Sequence, residues 1–192
     1  ETYGERLRLL KRLALGSGGS KTPVIVASIA GLMQPVPSAA QLKQGTRTIR
    51  RGERLDIEAL LRWFVESGFH ATSAVELPGE FSHRGGILDI FAPDWLEPVR
   101  LELFDDEIES LRSFDVASQR SLEILDQIEI TVLSPFDKPT SHLADYLPAN
   151  AWAMLIEPQQ LADEGKNILQ RTEKPEEFHS VTAVLGSCSR LG

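Results

Sequence analysis

Residues 79–114, GEFSHRGGILDIFAPDWLEPVRLELFDDEIESLRSF, decide the fold of this 192-residue chain. Apolar and polar side chains alternate along the stretch, which is the period-2 pattern of half-buried β-strands. Turn-forming pairs interrupt the pattern at 85–86 (Gly-Gly), 93–94 (Pro-Asp) and 105–106 (Asp-Asp). Strands that are joined by such short turns pair antiparallel. The stretch therefore predicts a small antiparallel sheet.

On either side of this sheet, the sequence predicts one helix and two further strands. Asp56 is suited to cap a helix that Gly68 closes. The predicted buried stripe of this helix is Leu60, Leu61, Phe64 and Val65. ATSAVEL (71–77) and QIEITVL (127–133) read as strands on either side of the central stretch. A helix beside an antiparallel sheet is an α+β module.

The flanking regions have a different pattern, which predicts α/β structure. GERLRLLKRLAL (4–15) has helical spacing, and Val24–Ile29 is a short β-branched run typical of a buried strand. After Pro139 the chain reads as helix, strand and helix. These three segments are SHLADYL (141–147), WAMLIE (152–157) and PQQLADEGKNILQR (158–171). The order indicates an α+β domain at 46–131, inserted between α/β portions at 1–45 and 132–192.

Composition and charge exclude several classes of protein. The chain is 42% hydrophobic and 25% charged, with no apolar run long enough for a membrane span and no signal segment. It begins with Glu1, which we interpret as a fragment of a longer protein. Cys188 is the single cysteine, which leaves no internal disulfide framework and fits a reducing cytoplasm.

The net charge of −8 is unevenly distributed. Residues 1–54 carry +7 and residues 55–192 carry −15. A basic first third could face phosphates, but it lacks aromatic residues for base stacking. We favour a solvated surface, or a complement to the acidic remainder, and expect weak DNA binding at most.

No motif in the sequence predicts catalysis or a cofactor. Gly16–Thr22 (GSGGSKT) resembles a phosphate-binding loop, but a helix precedes it and a strand follows it, the reverse of the required order. The carboxylates of 105–109 read as a tight turn and a solvated strand rather than a cation site. The four histidines are scattered without metal-ligand spacing. We predict a non-enzymatic chain with no metal or cofactor.

The strand Val99–Phe104 carries the most informative side chains. Alternation puts Val99, Leu101 and Leu103 on the core face and leaves Phe104 with the charged Arg100 and Glu102 on the opposite face. An aromatic ring beside arginine is typical of interface hot spots. The alternative is that another element covers Phe104, or that it is an isolated exposed apolar residue. The pattern alone leaves both open.

Residues 79–121 strongly resemble the UvrB-homology module of bacterial transcription-repair coupling factors, as do VIVASIAGLMQPVPS (24–38) and GERLDIEALLRWFVESGF (52–69). The resemblance implies flanking domains of a degenerate, helicase-like (RecA-like) α/β fold without ATPase motifs. It also implies that the inserted domain docks the excision-repair protein UvrA. The contact residues of that family fall on Arg84, Arg100 and Phe104. Ala92 departs from the family, which usually has Pro directly after the Phe.

The same resemblance implies a cytoplasmic parent protein that contacts RNA polymerase, DNA and ATP through other domains. Two alternatives stay open at this point. One is a fragment of UvrB itself, whose central motif has an acidic residue where this chain has Gly86. The other is a stand-alone nucleic-acid-binding domain, which the basic first third suggests.

Overall fold

The structure is a computed structural model that describes residues 3–15, 24–133 and 138–191. The GSGGSKT segment, whose sequence resembles a phosphate-binding loop, lies outside these residues. The described residues fall into two compact units. The first unit takes its residues from 1–9 and 41–137, and the second from 10–40 and 138–192.

Most strands follow one another in the middle of the chain, and helices precede and follow them. The helices are α1 (Tyr3–Leu15), α2 (Ile29–Met33), α3 (Ala39–Gln44), α4 (Ile57–Glu66), α5 (Pro158–Arg171) and α6 (Val181–Cys188). The strands are β1 (Thr46–Arg50), β2 (His70–Ala71), β3 (Glu80–Arg84), β4 (Ile87–Phe91), β5 (Val99–Phe104), β6 (Glu107–Phe114), β7 (Ser121–Ile124) and β8 (Gln127–Thr131). Short 3₁₀ turns cover Leu143–Tyr146 and Pro175–Glu177.

The first unit is built on a six-stranded sheet of order β2-β3-β4-β5-β6-β7. All neighbours pair antiparallel except β2 and β3, which are parallel. The antiparallel sheet predicted from residues 79–114 is thus confirmed. A second, two-stranded antiparallel sheet joins β1 to β8. Strands β1 and β7 were not predicted from the sequence, because both are short and rich in charged or polar residues.

One face of the large sheet forms the hydrophobic core of this unit. Leu88, Ile90 and Leu101 are completely buried there, and they pack in one cluster with helix α4 and with the small sheet. A register shift between Glu102 and Leu103 breaks the alternation in β6. Because of this β-bulge, Ile108 and Leu111 both lie in the core although they are three residues apart.

Helix α4 begins and ends as predicted. Asp56 accepts a hydrogen bond from the backbone N–H of Ala59 at 2.9 Å, which satisfies a free donor of the first turn. Gly68 follows the helix with φ +84°, a conformation that only glycine adopts easily. Phe64 is completely buried, whereas Val65 is 62% exposed. The prediction of a buried Val65 is wrong, since the apolar stripe of α4 is narrower than the sequence suggests.

Three predicted strands are absent as regular strands. Residues 24–28 and 151–155 form no ladder within the described chain, and Val24, Val26 and Trp152 are about nine-tenths exposed. Residues 71–77 form a strand only at Ala71, and the rest is a loop. An apolar run becomes a strand only where a partner satisfies its backbone groups. No described segment pairs with residues 24–28 or 151–155, and the pairing of 71–77 with β3 ends after its first residues.

The second unit is held by a cluster of three helices. Ile29 and Met33 of α2 and Val181 and Val184 of α6 are buried against α5. Gly165 of α5 makes the close approach possible, since a Cβ there would lie 2.5 Å from Val181 Cγ2. The predicted helix at 158–171 is confirmed, and the predicted helix at 141–147 is a 3₁₀ turn. Helix α6 was not predicted.

Two imidazoles stack beside this 3₁₀ turn. The ring centroids of His142 and His179 are 3.5 Å apart, and His179 Nε2 lies 3.1 Å from the carbonyl oxygen of Ser141. Burial, then the charges of His179 and Arg190, lower the pKa of His142, against the opposing effect of Asp145. A lowered pKa in the folded state means that protonation favours unfolding.

Above a pH of about 6.5, His142 is neutral and we expect the free energy of unfolding of the second unit to have its full value. As the pH falls through the lowered pKa of His142, protonation should reduce this free energy. Thermal unfolding at pH 7.5 and 5.5 checks this. The wild-type chain should lose more stability across this interval than His142→Gln, while His83→Gln, a change at an exposed strand position, should behave as wild type. An equal loss in all three chains would contradict the prediction.

Candidate protein-docking face

The strand register brings the predicted contact residues to one side of the large sheet. Arg84 pairs with Ile87, and Ile87 pairs with Glu102. Directly paired residues of an antiparallel sheet point to the same face, so these three side chains share a face with Arg100 and Phe104. We call this side, opposite the core, the outer face. Strand spacing puts Arg84 about 10 Å from β5, two strands away.

Phe104 stands uncovered at the end of β5. Its side chain is 76% exposed, and the next residue, Asp105, turns the chain with φ +60°. On the β6 side Phe104 pairs with Glu107. On the β4 side the register, continued past Gly86, places Gly85 opposite it. Because glycine has no side chain, the ring has no cross-strand cover on that side.

Arg84 is exposed at the last position of β3. A two-residue Gly85-Gly86 turn joins it to β4, with φ +59° at Gly85, as hairpins of this length require. The second glycine of the turn, Gly86, is needed for a different reason. A Cβ there would lie 2.7 Å from the carbonyl oxygen of Leu103, and the Leu103 N–H donates to the Gly86 carbonyl at 2.7 Å. The turn therefore holds Arg84 close to the end of β5.

Arg100 is not a freely exposed side chain. Its Nε and Nη2 donate to Asp89 Oδ1 and Oδ2 at 2.7 and 2.8 Å, a bidentate ion pair, and Nη2 also reaches Gln119 Oε1 at 3.2 Å. Its guanidinium carbon lies 4.8 Å from the ring centroid of Phe114. The hydrogen bonds to Asp89 raise the pKa of Arg100, so the charge is permanent. Arg100 is a fixed, preorganised cation.

A second ion pair lies beside the first on the outer face. Arg112 pairs with Glu102, and the Ser110 hydroxyl donates to the same carboxylate at 2.7 Å. The hydrogen bond from Ser110, followed by Arg112, lowers the pKa of Glu102. The positions of Asp89 and Arg112 beside Arg100 were not predicted from the sequence. Alternation along β4 placed Asp89 opposite the core, but only the register shows which charges meet.

This ion pair gives Arg100 a role in the stability of the sheet, which a fully exposed arginine would not have. We expect Arg100→Ala to lower the free energy of unfolding by about 1–3 kcal/mol, because the Asp89 carboxylate, only 14% exposed, loses its partner. The double change Arg100→Ala with Asp89→Ala should cost less than the sum of the two single changes, as a double-mutant cycle in urea will measure. Additive costs would contradict a coupled pair.

The basic residues before α4 are largely matched by partners in the first unit. Arg47 lies over the Trp63 ring at 4.2 Å, and Arg51 pairs with Asp126 at 3.1 Å. Arg50 pairs in the same way with Glu53 at 3.4 Å. These contacts support the interpretation of this segment as a complement to acidic neighbours rather than a phosphate-binding strip.

Other candidate chemistry is weak in the part of the chain that the structure describes. Within 3–15, 24–133 and 138–191 no group of three or more His, Cys, Asp or Glu side chains is arranged to hold a metal ion. Burial raises the pKa of the Cys188 thiol, which makes it a poor nucleophile. Among the same residues, no helix has the length and apolarity to cross a membrane.

Comparison with known proteins defines the class of this module. Residues 48–136 match the UvrB interaction domain family, and the match includes the whole outer face. The match is to these residues and not to the rest of the chain.

The comparison also identifies the proteins that carry a related segment. The transcription-repair-coupling factor of Staphylococcus aureus strain RF122 is 40% identical over 136 residues, 71% of this chain and 11% of the relative. Those of S. aureus strain MRSA252 and of S. epidermidis are 38% identical over 150 residues, 77% of this chain and 12% of each relative. The chain thus spans about a ninth of the length of these relatives, and the resemblance to coupling factors seen in the sequence is confirmed.

Proposed function

We propose that this chain is the part of a transcription-repair coupling factor that docks UvrA, and so recruits excision repair to stalled RNA polymerase. The proposal is supported by the UvrB interaction domain match and by the relatives over most of the chain. It concerns binding alone: we propose no catalysis and no cofactor for this segment.

The observation that carries the proposal is the exposed ring of Phe104 on the same face as Arg84 and the fixed Arg100. The ring is 76% exposed and shares its face with two arginines, a combination that is typical of protein interfaces. Aromatic and arginine side chains are enriched among interface anchors, because aromatic rings bury much area and a guanidinium donates several hydrogen bonds. Arg100 in addition is held in place before binding, which lowers the entropy cost of association.

We assign the docking role to the inserted domain at 46–131. We further propose that 1–45 and 132–192 belong to degenerate, helicase-like portions of the parent protein. In the whole protein, RNA polymerase, DNA and ATP would be bound by parts outside this chain, in the cytoplasm. These assignments follow the coupling factors that the chain resembles, and the alternative of a UvrB fragment has no relative among those reported above.

We expect Phe104→Ala and Arg84→Ala each to weaken binding to purified UvrA by about 1–4 kcal/mol, as anchor residues do. Titration calorimetry at about 150 mM salt will measure this, together with thermal unfolding to show that the fold is intact.

A matched control is Leu96→Ala. Leu96 is 79% exposed, comparable to Phe104, but lies in the loop at the other end of β5. Its replacement should leave the affinity unchanged within about twofold. Tight UvrA binding by Phe104→Ala would remove the basis of the proposal.

A further inference from the structure

Ile87 is an exposed apolar residue at the turn end of the outer face. It is the first residue of β4 and is 41% exposed, whereas the next residue, Leu88, is completely buried on the core face. The register pairs Ile87 with Arg84 on one side and with Glu102 on the other. The sequence analysis assigned no role to it, because an isoleucine at the start of a strand is ordinary in a sheet.

The position of Ile87 relative to Phe104 is the informative feature. Ile87 pairs with Glu102, so Phe104 is its diagonal neighbour on β5. Diagonal neighbours lie about 7–8 Å apart, within reach of an aromatic ring. The turn residue that precedes them on this side is Gly85, which has no side chain. Ile87 and Phe104 therefore form a continuous apolar area at the turn end of the sheet.

The arginines around this apolar area differ in whether a carboxylate neutralises them. Arg100 and Arg112 are neutralised by Asp89 and Glu102. Arg84 makes no ion pair with any other residue that the structure describes. Arg84 can therefore form an ion pair with a binding partner, and it lies directly opposite Ile87 in the β3–β4 hairpin. A complementary surface needs an apolar depression with a carboxylate at its border.

We propose that Ile87 is a further contact residue of the docking face, which with Phe104 enters an apolar depression of UvrA while Arg84 meets a carboxylate at its border. This inference rests on the proposed function, and it adds the chemistry of the surface that the partner presents. Ile87 and Phe104 supply the desolvated centre of the contact. Arg84, rather than Arg100, supplies the salt-dependent attraction.

The test measures binding of purified UvrA to the wild-type chain, to Ile87→Ala and to Ile87→Thr. The threonine keeps the β-branched shape and the strand preference while it removes apolar surface. We expect both changes to weaken binding about tenfold, as loss of a central apolar anchor does. The control is Leu122→Ala, an aliphatic residue of similar exposure (49%) on β7, three strands from β4, which should change the affinity less than about twofold.

The salt dependence separates the roles of the two arginines. Binding measured at about 50 and 200 mM salt should lose most of its salt dependence in Arg84→Ala and keep it in Arg100→Ala. Unchanged affinity in both Ile87 variants, with wild-type binding intact, overturns the inference and leaves the proposed function standing. An equal loss in Leu122→Ala also overturns it. Absence of UvrA binding by the wild-type chain overturns the proposed function, and the inference with it.

Discussion

Leu101→Ala is expected to lower the free energy of unfolding of the first unit by about 2–5 kcal/mol. Leu101 has no exposed surface, and on the core face it is paired with Leu88 and with Leu111, which are also completely buried. Truncation to alanine removes three carbon atoms, Cγ and the two Cδ methyl groups, from the centre of the cluster. The loss combines the transfer free energy of these groups with the cavity that they leave.

The control for Leu101 is Phe104, three residues further along the same strand. Phe104→Ala removes a larger side chain but should change the stability by less than about 0.5–1 kcal/mol, because the ring already contacts solvent. Urea unfolding followed by Trp63 and Trp95 fluorescence, in a Trp152→Phe background, reports on the first unit alone. If Phe104→Ala proves the more destabilising change, the faces of β5 are assigned the wrong way round.

Phe64→Ala should cost about 3–5 kcal/mol of the same unfolding free energy. Phe64 is completely buried at the centre of an aromatic group. Its ring centroid lies 4.8 Å from that of Phe69 and 5.3 Å from that of Phe81. These contacts join helix α4 to the large sheet. Aromatic pairs at such distances contribute about 0.5–1.5 kcal/mol beyond the area that they bury.

Val65 provides the comparison within the same helix. Val65→Ala alters the next residue, whose side chain is 62% exposed, and should change the stability by less than about 0.5 kcal/mol. Urea unfolding followed by circular dichroism measures both variants. A loss below about 1 kcal/mol for Phe64→Ala would mean that α4 contributes little to the core.

The sheet that carries the docking face could be predicted because its signals are local. Alternation over 79–114, the turn residues between the strands and the cap at Asp56 each act within a few residues. The core face of β5 was predicted for the same reason, since Val99 and Leu101 follow from a period of two. The same alternation placed Phe104 on the opposite face, but its exposure is known only from the structure.

The errors occurred where a local signal depends on a distant partner. Residues 24–28 and 151–155 have the apolar character of strands, but a strand also needs hydrogen-bond partners along its length, and the described chain supplies none. Val65 has the character of a core residue, but the width of the contact on α4 is set by the sheet beneath it. The β-bulge in β6 also depends on how β5 lies beside it.

Local patterns within residues 79–114 were enough to predict the strands and turns of that stretch and the face on which Arg100 and Phe104 lie, because these depend on periodicity and on backbone preferences within one segment. The tertiary structure was needed to show which of the charged side chains are already in an ion pair and which can contact a binding partner. Register brought Asp89 against Arg100 and left Arg84 without an ion pair among the described residues. It also set Ile87 beside Phe104. Register is fixed by contacts between strands that are distant in the chain, and no local pattern contains it.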